Sequence, residues 1–419
     1  MRALVLFCAL ICASLPISAE EMISTPLQPV RIVSTGNAVH VLCARTDLNF
    51  NGNLDDGDVP ASWLTIDADS RQVIRRMEFA WGNVTAQRFG VSRATSTFDI
   101  GVDNLVQRFT ITDQRAVDLT VTIENLSSVS SSPDGKTIWV AQRPNFTDPG
   151  SVVELDIAGQ DRTSFKTGPN PQAPLPYEVA GMSGLAVLCE GTFGGGNGTL
   201  ELRPSSGTPT TIGIGDTPNH LLIHGERAYV TVNGSHSVVV VDLSRKEAID
   251  TILVGTSGYD GPREAAIDTS SSDGIDRLFV STFSSDVRVF DLSTGARIAT
   301  LNPGAKPEGL AVVGNELWVT RTFVAGGYAV TSDIAIFPIN AATSVSEERP
   351  SSAPSAIVAI SGHARLPFAI DENATITDMT GKTTRVSAVV SAAQILDCHN
   401  LPAGVYVVRS GAQTATILR

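Results

Sequence analysis

The sequence predicts an all-β protein in which a seven-bladed β-propeller is followed by a small C-terminal β-sandwich. Three observations support this prediction. A unit of short strands and polar hairpins recurs along the chain, and the 36 Gly and 22 Pro residues favour short strands joined by tight turns. A stretch rich in Ser, Pro and Ala at residues 341–356 then separates the repeats from a tail with alternating apolar and polar residues.

The repeat is clearest at residues 219–255 and 262–304, where an apolar strand is followed by a strand hairpin with small polar residues at its tip. Equivalent strands begin near His40, Phe98, Ile138, Gly184, Tyr229, Leu278 and Leu317. One such four-stranded sheet cannot bury both of its faces alone, so neighbouring units must stack around an axis. We therefore expect seven blades over residues 30–340. Six or eight blades stay open, because the first two units are degenerate.

Residues 1–19 have the features of a secretory signal peptide. Arg2 is followed by an apolar stretch at residues 3–17, and Ser18 and Ala19 form a small-residue cleavage site. The apolar stretch is shorter than a bilayer-spanning helix requires, and no later segment approaches that length. We expect a protein that passes through the periplasm and has no transmembrane segment.

The formal net charge of -13 argues against a nucleic-acid partner, because an acidic surface repels phosphate backbones. Beyond the predicted signal peptide, the cysteines are Cys43, Cys189 and Cys398. They are far apart and odd in number, which argues against a disulfide framework, although one pair in an oxidising compartment stays open. Cys43 and Cys189 lie in apolar, strand-like sequence, so we expect buried thiols without a reactive role.

Residues 47–58 (DLNFNGNLDDGD) form the sharpest local motif. Gly52 stands where an EF-hand loop turns sharply, and oxygen-bearing residues have the spacing that a cation with six to eight oxygen ligands requires. The predicted Ca²⁺ ligands are Asp47, Asn49, Asn51, Asn53 through its carbonyl, Asp55 and Asp58.

This loop departs from an EF-hand in two ways. Its last ligand is Asp58 where Glu is usual, and its flanking sequences read as strands. We expect a calcium loop with a structural role between two strands of the first blade. The alternative is a solvated turn, which Asn, Asp and Gly also favour.

No other group of residues indicates a cofactor, and the sequence offers no catalytic residues that we would name. His220 and His224 are four residues apart and could share a face of one strand. The apolar residues between them look like core, so a structural role is the simpler interpretation.

The stretch YVTVNGSHSVVVVDLSRKEAIDTILVG at residues 229–255 resembles the YVTN-type repeat of lactonase-like and surface-layer β-propellers. The resemblance is good over residues 219–304 and looser over the rest of residues 30–340. It implies the propeller fold and leaves activity open, because this group includes cyclic-ester hydrolases as well as binding and surface proteins.

The tail resembles the C-terminal sorting domain of the Por (type nine) secretion system of Bacteroidota-like bacteria. The matching segments are ITDMTGK at residues 376–382, LPAGVYVVRSG at residues 401–411, and a last strand that ends in a basic residue. For residues 363–419 the resemblance implies recognition by the outer-membrane secretion machinery, so that the protein is secreted or attached to the outer surface. The alternative is an ordinary accessory β-domain.

These features together favour a secreted or cell-surface propeller that binds a protein or glycan ligand at one face without catalysis. The alternative is a lactonase-like hydrolase that uses the central channel, with a metal or a His there. It predicts that inward-facing Glu, Asn, Asp and His side chains from several blades converge on one ion. A third interpretation is a structural component of the cell envelope.

Overall fold

The structure is a computed structural model. It describes residues 17–19, 21–82, 84, 89–92, 94–172, 174–256, 260–339, 356–358, 363–365, 375–378, 383–385, 395–397, 405–410 and 413–418. The chain divides into two compact units, Met1–Val345 and Ser346–Arg419. The described residues contain no α-helix, and so no helix among them is long and apolar enough to cross a membrane. The predicted signal peptide lies almost entirely outside them.

The first unit is a ring of seven four-stranded antiparallel sheets, which confirms the predicted seven-bladed β-propeller. Two short strands come first, β1 (Ile17–Ser18) and β2 (Glu21–Ser24). Blade 1 contains β3 (Pro29–Thr35), β4 (Ala38–Cys43), β5 (Ser62–Asp67) and β6 (Val73–Glu78). Blade 2 contains β7 (Phe89–Ser92), β8 (Thr97–Val102), β9 (Leu105–Thr110) and β10 (Ala116–Thr122).

Blades 3 to 5 repeat this order, and each consists of four strands that are consecutive in the chain. Blade 3 contains β11 (Leu126–Ser131), β12 (Thr137–Gln142), β13 (Pro149–Asp156) and β14 (Asp161–Pro169). Blade 4 contains β15 (Leu175–Val179), β16 (Met182–Cys189), β17 (Gly198–Pro204) and β18 (Thr210–Gly215). Blade 5 contains β19 (Pro218–His224), β20 (Arg227–Val232), β21 (Ser237–Asp242) and β22 (Glu247–Leu253).

Blades 6 and 7 both use strands from the start of the chain. Blade 6 contains β23 (Pro262–Asp268), β24 (Arg277–Thr282), β25 (Val287–Asp291) and β26 (Arg297–Asn302), and β1 adds to it in parallel. Blade 7 contains β27 (Ala305–Val313), β28 (Glu316–Val324) and β29 (Val330–Pro338). Its outer strand is β2, which pairs antiparallel with β29 and closes the ring.

The hydrophobic core lies between the blades, and each of the seven interfaces has its own cluster of buried side chains among the described residues. Strand β21 shows how the sequence produces this arrangement. Val239 and Val241 pack into the cluster between blades 4 and 5, while Val238 and Val240 pack into the cluster between blades 5 and 6. Because successive side chains of a strand point to opposite faces, a continuous apolar strand buries both faces only when sheets stack on either side.

Two glycines allow the inner strands of neighbouring blades to approach closely. A Cβ on Gly90 would lie 2.9 Å from the Cα of Ser130, and a Cβ on Gly309 would lie 3.1 Å from the Cα of Arg31. Any side chain at these positions would push blade 2 from blade 3, or blade 7 from blade 1.

The second unit also consists of strands. A five-stranded sheet has the order β30 (Ala356–Val358), β36 (Gln413–Leu418), β35 (Val405–Ser410), β32 (Thr375–Asp378) and β33 (Thr383–Arg385). A separate pair joins β31 (His363–Arg365) to β34 (Ile395–Asp397). The predicted β-sandwich depends on packing that involves residues outside the described ranges, and it stays a prediction.

Candidate functional site

One end of the propeller carries the longest connection between two strands of a blade, the β4–β5 connection at residues 44–61. In blade 1, Pro29 at the start of β3 pairs with Cys43 at the end of β4, so the β4–β5 connection lies at the end where the inner strand begins. Blade 7 has the same register, with Ala305 paired with Val324. The corresponding connections are residues 44–61, 103–104, 143–148, 190–197, 233–236, 283–286 and 325–329. We call this end the loop face and the other end the opposite face.

The predicted calcium loop at residues 47–58 lies on the loop face, in the connection between β4 and β5. Gly52 has a φ of 80°, which favours glycine at this turn. The Asp47 carboxylate accepts the Gly52 N–H at 2.8 Å. The Asp58 carboxylate accepts the N–H groups of Leu48 and Asp55 at 2.8 and 2.9 Å. Carboxylates at the two ends of the motif therefore hold the loop in its turned conformation.

The middle of the motif brings three predicted ligands together. The side-chain amides of Asn49 and Asn51 donate to Asp55 Oδ2 at 2.9 and 2.5 Å, and these bonds lower the pKa of the Asp55 carboxyl. Asn51 Oδ1 accepts the backbone N–H of Asn53, another predicted ligand, at 2.7 Å. A cation bound here would require both amides to turn about their last torsion, so that oxygen replaces nitrogen.

The residue types of this loop fit a hard cation, although the contacts are those of a turn rich in Asn and Asp. Within the described part of the chain, no three His, Cys, Asp or Glu side chains are grouped so that they could hold a metal ion. A cation in this loop would therefore depend on the Asn oxygens as well as the carboxylates. Calcium stays a prediction.

The loop face also carries the exposed aromatic side chains of the propeller. Phe50, Phe146, Phe193 and Tyr328 are 91%, 65%, 85% and 62% exposed, respectively. They belong to the connections of blades 1, 3, 4 and 7. Blades 7 and 1 are neighbours and contribute two rings, and blades 3 and 4 are neighbours and contribute the other two. The opposite face exposes the aliphatic side chains of Ile157 and Met182 instead. Among the described residues, aromatic exposure is thus confined to one end of the propeller.

Cationic side chains support several rings on the loop face. The Arg143 guanidinium lies 4.4 Å from the Phe146 ring centroid, and Lys306 Nζ lies 3.9 Å from the Tyr328 centroid. A cation over a ring face is attracted by the negative charge of the π system. These contacts hold the rings at the surface and leave their other faces available to a partner.

The inner strands of all seven blades line a central channel with a cavity of about 160 Å³. Its charged and histidine side chains come from blades 5, 6, 7 and 1: His220, Arg263, Glu264, Glu308 and Arg31. Its apolar wall comes mainly from blades 2, 3 and 4: Phe89, Val91, Val129 and Leu175. The channel is therefore polar on one side and apolar on the other.

Arg31, His220 and Glu264 form the centre of the polar side. Arg31 Nη1 lies 2.8 Å from Glu264 Oε1 and 3.4 Å from His220 Nε2. Burial and the neighbouring Arg31 lower the pKa of His220 to about 3, so its imidazole is neutral near pH 7. Burial raises the pKa of the Glu264 carboxyl, and the ion pair with Arg31 opposes that rise.

A second ion pair lies beside the first. Arg263 Nε donates to both carboxylate oxygens of Glu308 at 3.1 and 3.0 Å, and its guanidinium lies 4.4 Å from the Phe283 ring centroid. Glu190 begins the long connection of blade 4. Burial raises the pKa of Glu190 to about 7, although Arg143 and Arg263 favour its charged form. The propeller therefore has a carboxyl group that titrates near neutral pH.

The structure separates the two histidines that the sequence suggested as a pair. His220 lines the channel, whereas His224 is exposed at the other end of β19, about 13 Å away at 3.3 Å per residue. Cys43 and Cys189 are buried free thiols, as predicted, and burial raises the pKa of each to about 12. Cys398 and the predicted linker at residues 341–356 lie outside the described residues, apart from Ala356 in β30.

Sequence reasoning missed Arg31, Arg263, Glu264 and Glu308, although a local signal marks their positions. The inner strands of four blades begin at or near a proline, and each pairing has a bulge just after it: Pro29, Pro218, Pro262 and Pro307. A bulge re-aims the side chains that follow it. The channel residues lie one or two positions after these prolines. An alignment of the repeats on these prolines would have placed the channel residues at equivalent positions.

No protein-family model matches this chain, and no curated protein is similar to it in sequence. The assignment of the propeller fold therefore depends on the observed strand pairing alone. The proposed relation to lactonase-like propellers and to type nine sorting domains depends on the segments described above.

Proposed function

We propose that this protein is a secreted or cell-surface β-propeller that binds a protein or glycan partner at its loop face, without catalysis. One observation carries the proposal: the four exposed aromatic side chains project from one end of the ring. Large aromatic side chains dominate binding energies at protein interfaces, and exposed groups of them mark interaction sites.

The arrangement of these rings supports a partner that spans the ring. Tyr328 and Phe50 come from the adjacent blades 7 and 1, whereas Phe146 and Phe193 come from the adjacent blades 3 and 4. Each ring contributes apolar area, and burying a Phe side chain is worth about 1.5–3 kcal/mol. An extended peptide or glycan chain that touched both groups would pass over the mouth of the channel.

The test uses the full-length protein against a glycan array and a peptide array. A variant with all four rings replaced by serine is compared with a control in which Ile157 and Met182 on the opposite face are replaced by serine. We expect at least tenfold weaker binding for the first variant and unchanged binding for the control. No ligand on either array, or equal loss in both variants, would contradict the proposal.

Export is part of the same proposal and depends on the tail at residues 363–419. In a host that has a type nine secretion system, the intact chain should reach the outer surface or the medium. The chain without residues 363–419 should accumulate in the periplasm. Equal export of both chains would show that the tail is an accessory domain.

The calcium loop would have a structural role in this proposal. Phe50 lies between two of the predicted ligands, Asn49 and Asn51, so a cation bound there would fix the segment that presents this ring. Calcium would then favour partner binding by ordering the loop in advance, without contacting the partner.

A lactonase-like hydrolase remains the second candidate, and the channel gives it a specific basis. His220, Glu264 and Glu308 from three blades line the channel and are of the residue types that this alternative requires, whereas the neighbouring Arg31 and Arg263 are not. A metal-dependent version fits poorly, because the Arg31 guanidinium lies 2.8 Å from Glu264 and would repel a cation at that carboxylate. Turnover of a lactone panel, measured with and without chelator and repeated with His220→Ala, tests it. Loss of turnover in this variant would favour hydrolysis.

A further inference from the structure

The two ends of the propeller differ in charge. The loop face also carries the connections between successive blades, because the fourth strand of each antiparallel sheet ends there: residues 25–28, 79–88, 123–125, 170–174, 216–217, 254–261 and 303–304. All loop-face connections together contain 11 Asp or Glu residues and three basic residues, all Arg. The connections at the opposite face, which join first to second or third to fourth strands of a blade, contain six acidic and six basic residues. The excess of negative charge therefore lies at the loop face.

The carboxylates of the two faces also have different partners. At the loop face, Asp47 accepts a backbone N–H at 2.8 Å, and Asp148 accepts a side-chain amide at 2.7 Å. These donors are uncharged and leave the negative charge in place. At the opposite face, Lys136 Nζ lies 3.8 Å from Asp134, so the two charges largely cancel. A bound Ca²⁺ would cancel two charges of the loop face and leave it acidic, so a cation is attracted to this face in either state.

The exposed rings of the loop face differ in whether the protein itself supplies a cation to them. Phe146 and Tyr328 each have a cationic side chain over one face. Phe50 and Phe193 are the two most exposed of the four rings, and no cationic group of the described residues lies over either one. These two rings are therefore open to a cation from a partner.

Carboxylates accompany both open rings. Phe50 lies within residues 47–58, which contain four Asp residues and no Lys or Arg. Phe193 belongs to the β16–β17 connection, where the Gly196 N–H donates to Asp216 Oδ1 at 3.5 Å. A ring with a carboxylate nearby suits a Lys or Arg side chain, because the cation can lie over the ring and pair with the carboxylate.

We propose that the partner of the loop face is a basic polypeptide whose Lys or Arg side chains lie over Phe50 and Phe193 and pair with the neighbouring carboxylates. This inference rests on the proposed function, since it requires the loop face to be the binding surface. It narrows the partner from a protein or glycan to a polypeptide with positive charge. The acidic face would also speed the association of such a partner at low salt.

The test uses the full-length protein and three fluorescent 15-residue peptides with the repeats Lys-Gly-Ser, Gln-Gly-Ser and Glu-Gly-Ser. In anisotropy titrations at 50 mM NaCl, the Lys peptide should bind about tenfold more tightly than the Gln peptide, and the Glu peptide should not bind. Binding of the Lys peptide should weaken at 300 mM NaCl, because salt screens the charges. Equal binding of the Lys and Gln peptides, or tighter binding of the Glu peptide, would overturn the proposal.

Ring variants locate the bound peptide. Phe50→Ser with Phe193→Ser removes the two open rings and should weaken binding of the Lys peptide about tenfold. The control, Ile157→Ser with Met182→Ser, removes two exposed apolar side chains from the opposite face and should leave binding unchanged. Thermal melting identifies the variants that are folded. Unchanged binding in a folded ring variant would contradict the proposal.

Charge variants separate binding at the loop face from general attraction to an acidic protein. Asp56→Asn with Asp216→Asn removes one carboxylate beside each open ring and should weaken binding of the Lys peptide about threefold. Asp69→Asn with Glu226→Gln removes the same charge from the opposite face and should have no effect. Equal weakening by the two pairs would mean that only the net charge of the protein attracts the peptide, and the proposal would fail.

This inference and the proposed function can fail separately. If the Lys peptide does not bind but the array ligands still depend on the four rings, the loop face is a binding surface and the assignment of a basic partner is wrong. If neither the array ligands nor the Lys peptide depend on the rings, the loop face itself is wrong.

Discussion

His40 is fully buried and His220 is partly buried, and the two histidines lie in different kinds of surroundings. Between blades 1 and 2, His40 Nδ1 accepts the Trp63 indole N–H at 3.2 Å, and its Nε2 lies 2.8 Å from Thr35 Oγ1. At the axis, His220 Nε2 faces the Arg31 guanidinium at 3.4 Å, and its Nδ1 accepts the N–H of Ala265 at 3.3 Å. The interface histidine is paired with an indole and with hydroxyl groups, whereas the channel histidine lies beside an ion pair. The interface therefore uses its histidine in packing between blades, and the channel holds its histidine among charged side chains.

The largest expected effect is on the interface between blades 1 and 2. Trp63 is fully buried, packs edge-on against Phe89, Phe98 and Phe109, and donates to His40. We expect Trp63→Ala to lower the free energy of unfolding by about 3–5 kcal/mol, because it leaves a cavity and removes the indole that donates to His40. Urea denaturation measures this loss.

The matched control is Phe193→Ala on the loop face, since this ring is largely exposed. Its effect on unfolding should be within about 0.5 kcal/mol. If the two variants lost similar stability, the interface between blades 1 and 2 would not be the main source of stability that its packing indicates.

The second effect is the loss of stability at low pH that follows from protonation of His40. Burial lowers the pKa of His40 from 6.5 to about 4. Its contribution to stability is complete above pH 6.5 and is lost as the pH falls through 4, because the folded state resists protonation. We expect the native protein to lose about 3 kcal/mol more than His40→Gln between pH 7 and pH 3.5. Parallel denaturation curves at the two pH values check this, and equal losses would contradict it.

The third effect has the opposite sign and lies near the mouth of the channel. Burial raises the pKa of Glu190 from 4.5 to about 7, so its contribution is present below pH 4.5 and is lost as the pH rises through 7. Glu190→Gln should therefore stabilise the protein by about 1–2 kcal/mol at pH 8 and have little effect at pH 4.5. A variant whose stability differs from the native protein equally at both pH values would show that Glu190 does not titrate in this way.

The smallest effect is expected in the exposed calcium loop, which lies outside both the interface between blades 1 and 2 and the channel. Excess Ca²⁺ should raise the melting temperature by about 1–3 °C relative to chelator. Asp47→Ala should abolish this rise, whereas Asp56→Ala should retain it, because Asp56 is an acidic residue of the same loop outside the predicted ligand set. Identical responses of the two variants would reduce the effect to general charge screening.

The blades could be predicted because their periodic signal is strong. Strands such as β21 are apolar on both faces, and their hairpins carry small polar residues, so the repeat is visible in the chain itself. The outer strand of blade 7 could not be found this way. Residues 21–24 are short, mostly exposed, and far in sequence from the β29 strand that they pair with. The local residue pattern of this strand does not indicate a pairing partner so far along the chain.

The site was harder to predict than the fold for a related reason. Arg31, Glu264 and Glu308 belong to three different blades, and only the closure of the ring brings them together. Their bulges follow prolines, yet a single proline also marks many ordinary turns. The calcium motif is contiguous and was visible at once, whereas the channel combines side chains from distant parts of the chain.

The closing strand has a consequence for how the ring is assembled. Ile23 is aligned with Ile334, so the last blade cannot be completed until nearly the whole ring has been made. Until β29 has formed, β2 has no strand to pair with, and blade 7 stays incomplete. A chain delivered N-terminus first can close only at the end of its delivery. A bulky fusion placed directly before Glu21 would therefore hinder maturation more than the same fusion on a hairpin at the rim.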